Sequence, residues 1–414
     1  MKILWVKPGK LLPLDSGGQL RTYNILRQLN AHHELAYLSY YGGSRDETYE
    51  EEIRRHLPGT VVVYTAAPDN MLGRYLDYVR RLPWRAPYAV SKFTSPQVQR
   101  LLAEWIPQRR FDVAVCDFLS SALNFPHTLA TPTVLFQHNV ETVLWKRKAQ
   151  LEVKWLDRMI SKIEYAKMMH CEPEQVRRFH HVVAVSEADR QAMSWMVDLE
   201  RISVVPTGVD LSKYNYDPNT RPAGPLVVFT GSMDWEANID GVEFFCQEVW
   251  PLVLARVPNA RFQIVGRNPH SRVKKLASGT VEVTGTVPSV VDYLRDAAVF
   301  VVPLRIGGGT RIKIYEAMAI GKATVSTTVG AEGLDVHHEQ DILLADEPGS
   351  FAEAVTTLLL NEELRCRLEA EAAATALHYD WSVIGERFVE VLERTILSVD
   401  SRQTVASETA PARV

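Results

Sequence analysis

Short apolar runs alternate with longer amphipathic stretches along most of this 414-residue chain, and they fall into two series. The first series begins at residues 3–6 and closes near 204–206, and the second extends from 226–229 to 323–326. This alternation is typical of parallel strands covered by helices, with ligands bound at the carboxyl ends of the strands. It predicts an α/β fold of two doubly wound, Rossmann-like domains facing across a cleft.

A polar interval with three prolines, residues 215–225, separates the two series and indicates a linker. Its position predicts an N-terminal domain over residues 1–212 and a C-terminal domain over residues 224–378. A chain of this length is expected to form more than one domain. We expect a closing helix over 381–397 to complete the first domain, and the polar tail 398–414 to be disordered.

The composition excludes several classes of protein. A hydrophobic content of 46% and a charged content of 23% are those of a soluble globular protein. The net charge of −4 argues against a dedicated nucleic-acid binder. The four cysteines are widely scattered and form no C-x-x-C pair, so neither a zinc site nor a redox motif is expected. The apolar runs are too short for a signal peptide or a transmembrane helix, and we expect a cytoplasmic protein, at most peripheral to a membrane.

A glycine-rich segment in the second series carries the strongest chemical signal. Residues 307–316 read Gly-Gly-Gly-Thr-Arg-Ile-Lys-Ile-Tyr-Glu and follow an apolar run. Strand, glycine turn and helix in this order let backbone N–H groups approach an anion, with Thr310 as the expected N-cap. Arg311 and Lys313 add two positive charges, so the segment predicts a phosphate site. The alternative is an ordinary strand-to-helix loop whose basic residues face solvent.

Further motifs accompany this segment in a definite order along the chain. They are Ser16-Gly17-Gly18, His138-Asn139-Val140-Glu141, Val185-Ser186-Glu187-Ala188-Asp189, Pro206-Thr207-Gly208-Val209-Asp210, residues 307–316 and Glu332. With these motifs the chain resembles, over most of its length, the retaining GT-B glycosyltransferases of family 4, the glycosyl transferases group 1. The resemblance implies a hexosyltransferase-like enzyme that moves a sugar from a nucleoside-diphosphate sugar to a hydroxyl of a polysaccharide, lipid-linked or small-molecule acceptor.

The resemblance also assigns roles to residues, with the donor on the C-terminal domain and the acceptor on the N-terminal domain. It implies three catalytic residues: Arg311 and Lys313, which would stabilise the leaving diphosphate, and His138, which would lie close to the sugar. Glu316 is expected to bind the ribose, because a carboxylate accepts hydrogen bonds from both hydroxyls of a diol. The other expected donor-binding residues are Gly17, Gly18, Gly231, Gly266, Thr286, Val287, Gly308, Gly309 and Thr310.

The sequence departs from the family pattern at two places. The first of two motif glutamates falls at Gly308, so backbone N–H groups would have to replace its contact with the donor sugar. The loop after the first strand of the C-terminal domain has Ser232 and Asn238 where basic residues often stand, which makes Arg311 and Lys313 the expected replacements. Further candidate site residues are Glu141, Asp234, Trp235, Asn238 and Glu332, of which Trp235 is explained equally well as a packing residue.

Basic and aromatic residues are interleaved over residues 74–88, which predicts either peripheral contact with the inner face of a membrane or a solvated helix face. No D-x-D motif stands at a strand end, so we expect no metal, and no cofactor beyond the nucleoside-diphosphate sugar as co-substrate. A non-catalytic sugar-nucleotide-binding protein, a GT-B-type epimerase and an inverting transferase remain alternatives. A dinucleotide-dependent oxidoreductase is disfavoured, because no complete G-x-G-x-x-G follows the first strand.

Overall fold

A computed structural model describes residues 1–65, 67–68, 70–152, 154–306 and 311–408, with side chains through residue 401. The chain divides into two compact units, which are Met1–Pro206 with Ile384–Val414, and Thr207–Val383. Each unit is built on one parallel β-sheet. Among the described helices, none is both long enough and apolar enough to cross a membrane.

The first unit contains a sheet with seven described strands, all parallel. They are β1 (Lys2–Pro8), β2 (Glu34–Tyr41), β3 (Thr60–Tyr64), β4 (Val113–Asp117), β5 (Thr133–Phe136), β6 (His181–Ala184) and β7 (Ile202–Val204). Their order in the sheet is β3-β2-β1-β4-β5-β6-β7. Because the order reverses between β1 and β4, the carboxyl ends of these two strands mark the position where ligands bind in doubly wound sheets.

The helices of the first unit connect these strands. They are α1 (Gly17–His32), α2 (Glu47–His56), α3 (Met71–Arg81), α4 (Tyr88–Ser91), α5 (Pro96–Trp105), α6 (Glu141–Leu151), α7 (Trp155–Arg178) and α8 (Glu187–Ala192). Helix α1 begins with a capping box between Ser16 and Gln19, which satisfies backbone donors that a helix start leaves free. Gly17 and Gly18 therefore form the first turn of α1.

The second unit repeats the same arrangement. Its strands are β8 (Leu226–Thr230), β9 (Arg261–Val265), β10 (Val281–Gly285), β11 (Val299–Val302), β12 (Thr324–Ser326) and β13 (Leu343–Leu344). Their order is β10-β9-β8-β11-β12-β13, which reverses between β8 and β11. The carboxyl ends of β8 and β11 are consequently the expected ligand position of this unit.

Helices follow most strands of the second unit. They are α9 (Glu236–Phe244), α10 (Trp250–Arg256), α11 (Ser271–Lys274), α12 (Val290–Asp296), α13 (Ile312–Ala319), α14 (Pro348–Leu360) and α15 (Glu362–Leu377), with a π-helical turn, Phe245–Val249, between α9 and α10. The predicted fold of two doubly wound domains is confirmed, because each predicted apolar run coincides with a strand. The two-residue strand β13 was not predicted, since it is too short to produce a pattern.

The closing helix α16 spans Trp381–Glu408. Its Phe388 ring packs against the rings of Trp5 and Phe136, with centroids 5.2 Å from each, and thereby joins the core of the first unit. The chain remains helical to Glu408, although a disordered tail was predicted from residue 398. Val399 is buried and Asp400 lies 3.3 Å from the guanidinium of Arg109, so tertiary contacts continue past the predicted end of the helix.

Candidate functional site

In the second unit, glycines follow two neighbouring strands at the carboxyl edge of the sheet. Gly231 follows β8 and Gly266 follows β9. A Cβ atom on Gly266 would lie 1.6 Å from the carbonyl oxygen of Gly231, and one on Gly231 would lie 2.9 Å from Nζ of Lys313. A side chain at Gly266 would collide with the backbone, whereas one at Gly231 would require the ends of the Asn238 and Lys313 side chains to shift. The structure thus brings together the predicted residues Gly231, Gly266 and Lys313.

Lys313 lies in the first turn of α13, where its ammonium group is enclosed by protein. Nζ donates to Oδ1 of Asn238 at 3.0 Å and lies 4.2 Å from the centroid of the Phe229 ring. Asn238 in turn donates to the carbonyl oxygen of Ser232 at 2.8 Å. Burial, with a smaller contribution from Arg311 and against the effect of Glu316, lowers the pKa of Lys313 to about 7. An anion bound here would restore the full charge of this ammonium group.

Arg311 occupies the N-cap position of α13 and is only 2% exposed. Its Nη2 atom lies 3.5 Å from the carbonyl oxygens of Ile306 and Val329. Thr310, Gly308 and Gly309 lie outside the described residues, so the roles predicted for them stay predictions.

One helical turn beyond Lys313, the carboxylate of Glu316 accepts a hydrogen bond from the hydroxyl of Tyr214. Burial raises the pKa of Glu316, whereas Tyr214, Lys213 and Lys313 oppose that rise. Tyr214 is itself buried. It was not predicted, because it stands just before the linker and no local motif connects it with α13. The arrangement fixes the orientation of the carboxylate that the sequence predicts as the ribose ligand.

The other predicted residues of this unit lie in exposed or partly exposed loops. Asp234 accepts hydrogen bonds from Ser232 at 2.7 Å and from Asn268 at 3.2 Å, which together hold its pKa below the ordinary range. Trp235 is 44% exposed at the N-cap of α9. Thr286 and Glu332 are exposed and Val287 is partly buried.

In the first unit, a buried carboxylate lies at the reversal point of the sheet. Asp117 ends β4 and accepts hydrogen bonds from Thr22 at 2.7 Å, from Trp5 at 3.1 Å and from Nε2 of His138 at 2.6 Å. Burial opposes its ionisation, but His138, Lys7 and Thr22 together hold its pKa below the ordinary value. Asp117 was not predicted, although a polar residue at the end of a buried strand, at the expected ligand-binding edge, was a usable signal.

The ring of His138 is buried and makes contacts on both nitrogens and one face. Nδ1 lies 2.7 Å from Nη1 of Arg21, which can only donate, so Nδ1 accepts and Nε2 carries the proton given to Asp117. Burial, opposed by Asp117 and reinforced by Arg21, lowers the pKa of His138 to about 4, so the ring is neutral. Phe118 stacks on the ring at 3.7 Å. Both nitrogens are therefore engaged by protein groups in this structure.

Two further residues complete this buried group. A Cβ atom on Gly18 would lie 2.7 Å from Cζ of Phe118, so the glycine makes room for the ring that covers His138. Lys7, at the end of β1, is 4% exposed, donates to the carbonyl oxygen of Pro8 at 3.2 Å and lies 4.8 Å from the Phe118 ring centroid. Lys7 was not predicted, because a single lysine at a strand end is not a motif.

Glu141 begins α6 beside a second carboxylate. The fully buried Glu172 of α7 accepts from the backbone N–H groups of Glu141 at 2.8 Å and Thr142 at 2.7 Å, and from the amide of Gln137 at 2.9 Å. It thus caps α6 from a neighbouring helix. Burial and the charge of Glu172 raise the pKa of Glu141 to about 7. No group of three or more His, Cys, Asp or Glu suited to a metal ion occurs among the described residues.

Two family models match the chain. The model described as Glycosyltransferase Family 4 matches residues 16–213, and the model described as Glycosyl transferases group 1 matches residues 224–361. Together the two matches span most of the chain, and they meet close to the boundary between the two compact units.

Curated relatives match over part of their length. The phosphatidyl-myo-inositol mannosyltransferase of Mycobacterium leprae is 27% identical over 239 residues, 54% of this chain and 62% of the relative. The N,N'-diacetylbacillosaminyl-diphospho-undecaprenol alpha-1,3-N-acetylgalactosaminyltransferase of Campylobacter jejuni is 31% identical over 181 residues, 42% of this chain and 46% of the relative. The chain thus spans about half the length of the curated relatives it matches.

A likeness to solved structures extends over nearly the whole chain. The Anabaena protein HepE in complex with UDP and glucose superposes with a TM-score of 0.64 at 16% sequence identity, and the match covers 95% of this chain and all of that protein. At this level of identity the likeness shows the fold, which is GT-B.

Proposed function

The chain belongs to the group 1 glycosyltransferases of the GT-B fold, and from that premise we propose that it transfers a sugar, with retention of anomeric configuration, from a nucleoside-diphosphate sugar to a hydroxyl acceptor. The second unit binds the donor in this proposal and the first unit binds the acceptor. The acceptor is a polysaccharide, a lipid-linked compound or a small molecule. The names of the mycobacterial and Campylobacter relatives contain the lipids phosphatidyl-myo-inositol and diphospho-undecaprenol, which favours a lipid-linked acceptor.

One observation carries the proposal, and it is the enclosed ammonium group of Lys313. This group lies beside Gly231, at the carboxyl edge of the sheet, where ligands bind in doubly wound folds. Arg311 stands at the start of the same helix, whose N-terminus favours an anion. Breaking the bond between sugar and diphosphate leaves negative charge on the leaving group, and these positive groups would stabilise that charge in the transition state.

The remaining roles follow from the same arrangement. Glu316, oriented by Tyr214, would accept hydrogen bonds from the two ribose hydroxyls. In the first unit, the network of Asp117 and Arg21 fixes His138 as a neutral ring with a defined tautomer. His138 would then lie beside the sugar as a neutral ring that is held in a fixed orientation. The proposal includes no metal and no resident cofactor, since protein cations take the role of neutralising the diphosphate.

Nucleotide binding provides the first test. The melting temperature of the purified protein is measured against UDP-, GDP-, ADP- and TDP-sugars, because a ligand that binds the folded state raises it. We expect one nucleotide to stabilise the wild type, Arg311→Ala to abolish transfer and Glu316→Ala mainly to weaken binding. Lys275→Ala, an exposed lysine of the same unit, is the matched control. Wild-type transfer rates in Arg311→Ala would refute the diphosphate assignment.

Product analysis tests the mechanism. Retention predicts that the glycosidic bond of the product has the same anomeric configuration as the donor, which NMR coupling constants of the anomeric proton report. Inversion would instead favour the alternative of an inverting transferase, and specific nucleotide binding without turnover on any acceptor would favour a non-catalytic binding protein. Loss of activity in chelator, restored by a divalent cation, would refute metal independence.

Peripheral contact with a membrane through residues 74–88, and a location at its cytoplasmic face, are also part of the proposal. They are supported by the basic and aromatic composition of this segment and by the lipid-linked compounds in the names of relatives.

A further inference from the structure

Helix α3 turns its charged face toward the protein. Asp77 and Arg81 form an ion pair at 2.9 Å, and their side chains are only 13% and 16% exposed. Arg81 also donates to the carbonyl oxygen of Ser91 and, at 3.0 Å, to the hydroxyl of Thr94. Polar contacts therefore attach this helix to the first unit, whereas an ordinary surface helix packs its apolar face against the protein.

The apolar face of α3 points away from the protein. No residue of this helix is buried. Its exposed apolar side chains repeat at the spacing of one helical face, and they are Met71 at 88%, Leu72 at 68%, Tyr75 at 64%, Leu76 at 58% and Val79 at 45%. A continuous apolar face of this kind on a soluble protein marks a surface that another phase or molecule covers.

A second exposed apolar face lies on the hairpin of α6 and α7, whose second helix contacts the segment that follows α3. Its members are Leu151 at 70%, Trp155 at 69%, Leu156 at 52% and Met159 at 51% exposed. The two faces are joined through α7 and α4, because Lys167 donates to the carbonyl oxygen of Leu82 at 2.7 Å and Glu164 accepts from the N–H of Ala89 at 3.0 Å. Together the two faces form what we call the apolar-basic surface.

The charges around this surface select its partner. Residues 71–85 and 144–162 contain ten basic residues and three acidic ones, although the whole chain has a net charge of −4. Partial burial lowers the pKa of Lys92, which follows α4; Glu164 opposes this shift, and the nearby Arg74 and Lys148 add to it. A second copy of this surface would be repelled, whereas an anionic surface would be attracted.

We infer that the apolar-basic surface docks the first unit on an anionic lipid surface, with the side chains of α3 and of the α6–α7 hairpin inserted among the acyl chains and the basic residues at the headgroups. The inference extends the proposed function from residues 74–88 to a two-part surface. It rests on the proposed function only in that a membrane would carry a lipid-linked acceptor. Docking itself requires neither nucleotide nor transfer.

Vesicle co-sedimentation of the full-length protein tests this inference. Phosphatidylcholine vesicles are compared with vesicles that also contain phosphatidylglycerol, at low and high salt. The double variant Leu72→Glu/Leu76→Glu places two carboxylates on the outward face, where neither side chain contributes to the core. The matched control is Leu360→Glu/Leu377→Glu, since these leucines are exposed to 63% and 60% and lie in the second unit.

We expect the wild type and the control to bind anionic vesicles in a salt-sensitive manner, and the Leu72→Glu/Leu76→Glu variant to bind at least about tenfold more weakly. Trp155→Glu/Leu156→Glu should weaken binding as well. Equal binding by wild type and the α3 variant, or binding of the wild type to neither vesicle, would overturn the inference. So would a dimer in sedimentation equilibrium that the α3 variant abolishes without any vesicle binding, because the occupant would then be a second copy.

The same preparations separate this inference from the proposed function. Nucleotide-induced stabilisation should be equal in wild type, α3 variant and control, because the outward face of α3 belongs to the first unit and the donor residues to the second. Vesicle binding without any nucleotide effect would support docking and refute the donor site. A nucleotide effect without vesicle binding would support the donor site and refute docking.

Discussion

Replacing Lys313 by methionine should stabilise the second unit while it removes nucleotide binding. Methionine is unbranched like lysine and one atom shorter, so it can remain against the Phe229 ring, but it carries no charge that needs solvation. The lysine is held in place by one hydrogen bond to Asn238 and by the aromatic ring. A site designed to receive an anion is thus predicted to carry a stability cost when it is empty.

The size of this effect follows from the pKa of Lys313, which falls from 10.5 to about 7 on folding. Each pKa unit corresponds to about 1.4 kcal/mol, so below pH 7 the buried lysine lowers the free energy of unfolding by roughly 5 kcal/mol, before the lost contacts are deducted. Between about pH 7 and 10.5 the unfolded chain binds more protons than the folded one. The stability of the wild type relative to the variant therefore rises with pH in this window, by about 2 kcal/mol from pH 7 to pH 9.

Urea unfolding curves of the wild type and Lys313→Met at pH 6, 7, 8 and 9 measure this difference in the free energy of unfolding. Other groups that titrate alike in the two proteins do not contribute to the difference. Lys275→Met, at an exposed lysine, should show no such pH-dependent difference. The nucleotide that stabilises the wild type should have no effect on Lys313→Met. The reasoning would be refuted if the gap between wild type and variant stayed constant from pH 7 to pH 9, or if the variant were the less stable protein throughout.

Two further substitutions test the packing of each half of the candidate site. Gly266→Ala should destabilise the second unit by about 1–3 kcal/mol and weaken nucleotide binding, because its Cβ would lie 1.6 Å from a carbonyl oxygen. The control is Gly279→Ala, whose Cβ would have no atom within 4 Å. Equal melting temperatures of the two variants would contradict the close approach at Gly266. Asp117→Ala should lower the free energy of unfolding by about 3–5 kcal/mol, because it leaves three buried donors, among them His138, without their acceptor. Asp112→Ala, at an exposed aspartate, is the control. A loss below about 1 kcal/mol would show that the network is dispensable for stability.

Much of the fold could be predicted from the sequence. The apolar runs that became β1 to β12 are short and separated by amphipathic stretches, and that local pattern is enough to specify parallel strands and helices. In the segment of α13, the glycine turn indicated Arg311 and Lys313, and the resemblance to the family indicated Glu316; their roles stay predictions. The continuation of α16 past residue 397 was not predicted, because the burial of Val399 depends on contacts that composition does not reveal.

The order of strands and helices along the chain, and the residue types in the contiguous motifs, follow from local sequence. The contact of Asn238 with Lys313 across 75 residues, and that of Arg21 with His138 across 117, exist only in the folded chain. The tertiary structure alone placed Tyr214 on Glu316 and turned the apolar face of α3 outward. The reason is physical: hydrophobic periodicity is a property of neighbouring residues, whereas hydrogen-bond partners and the orientation of a helix depend on the order in which distant strands pair.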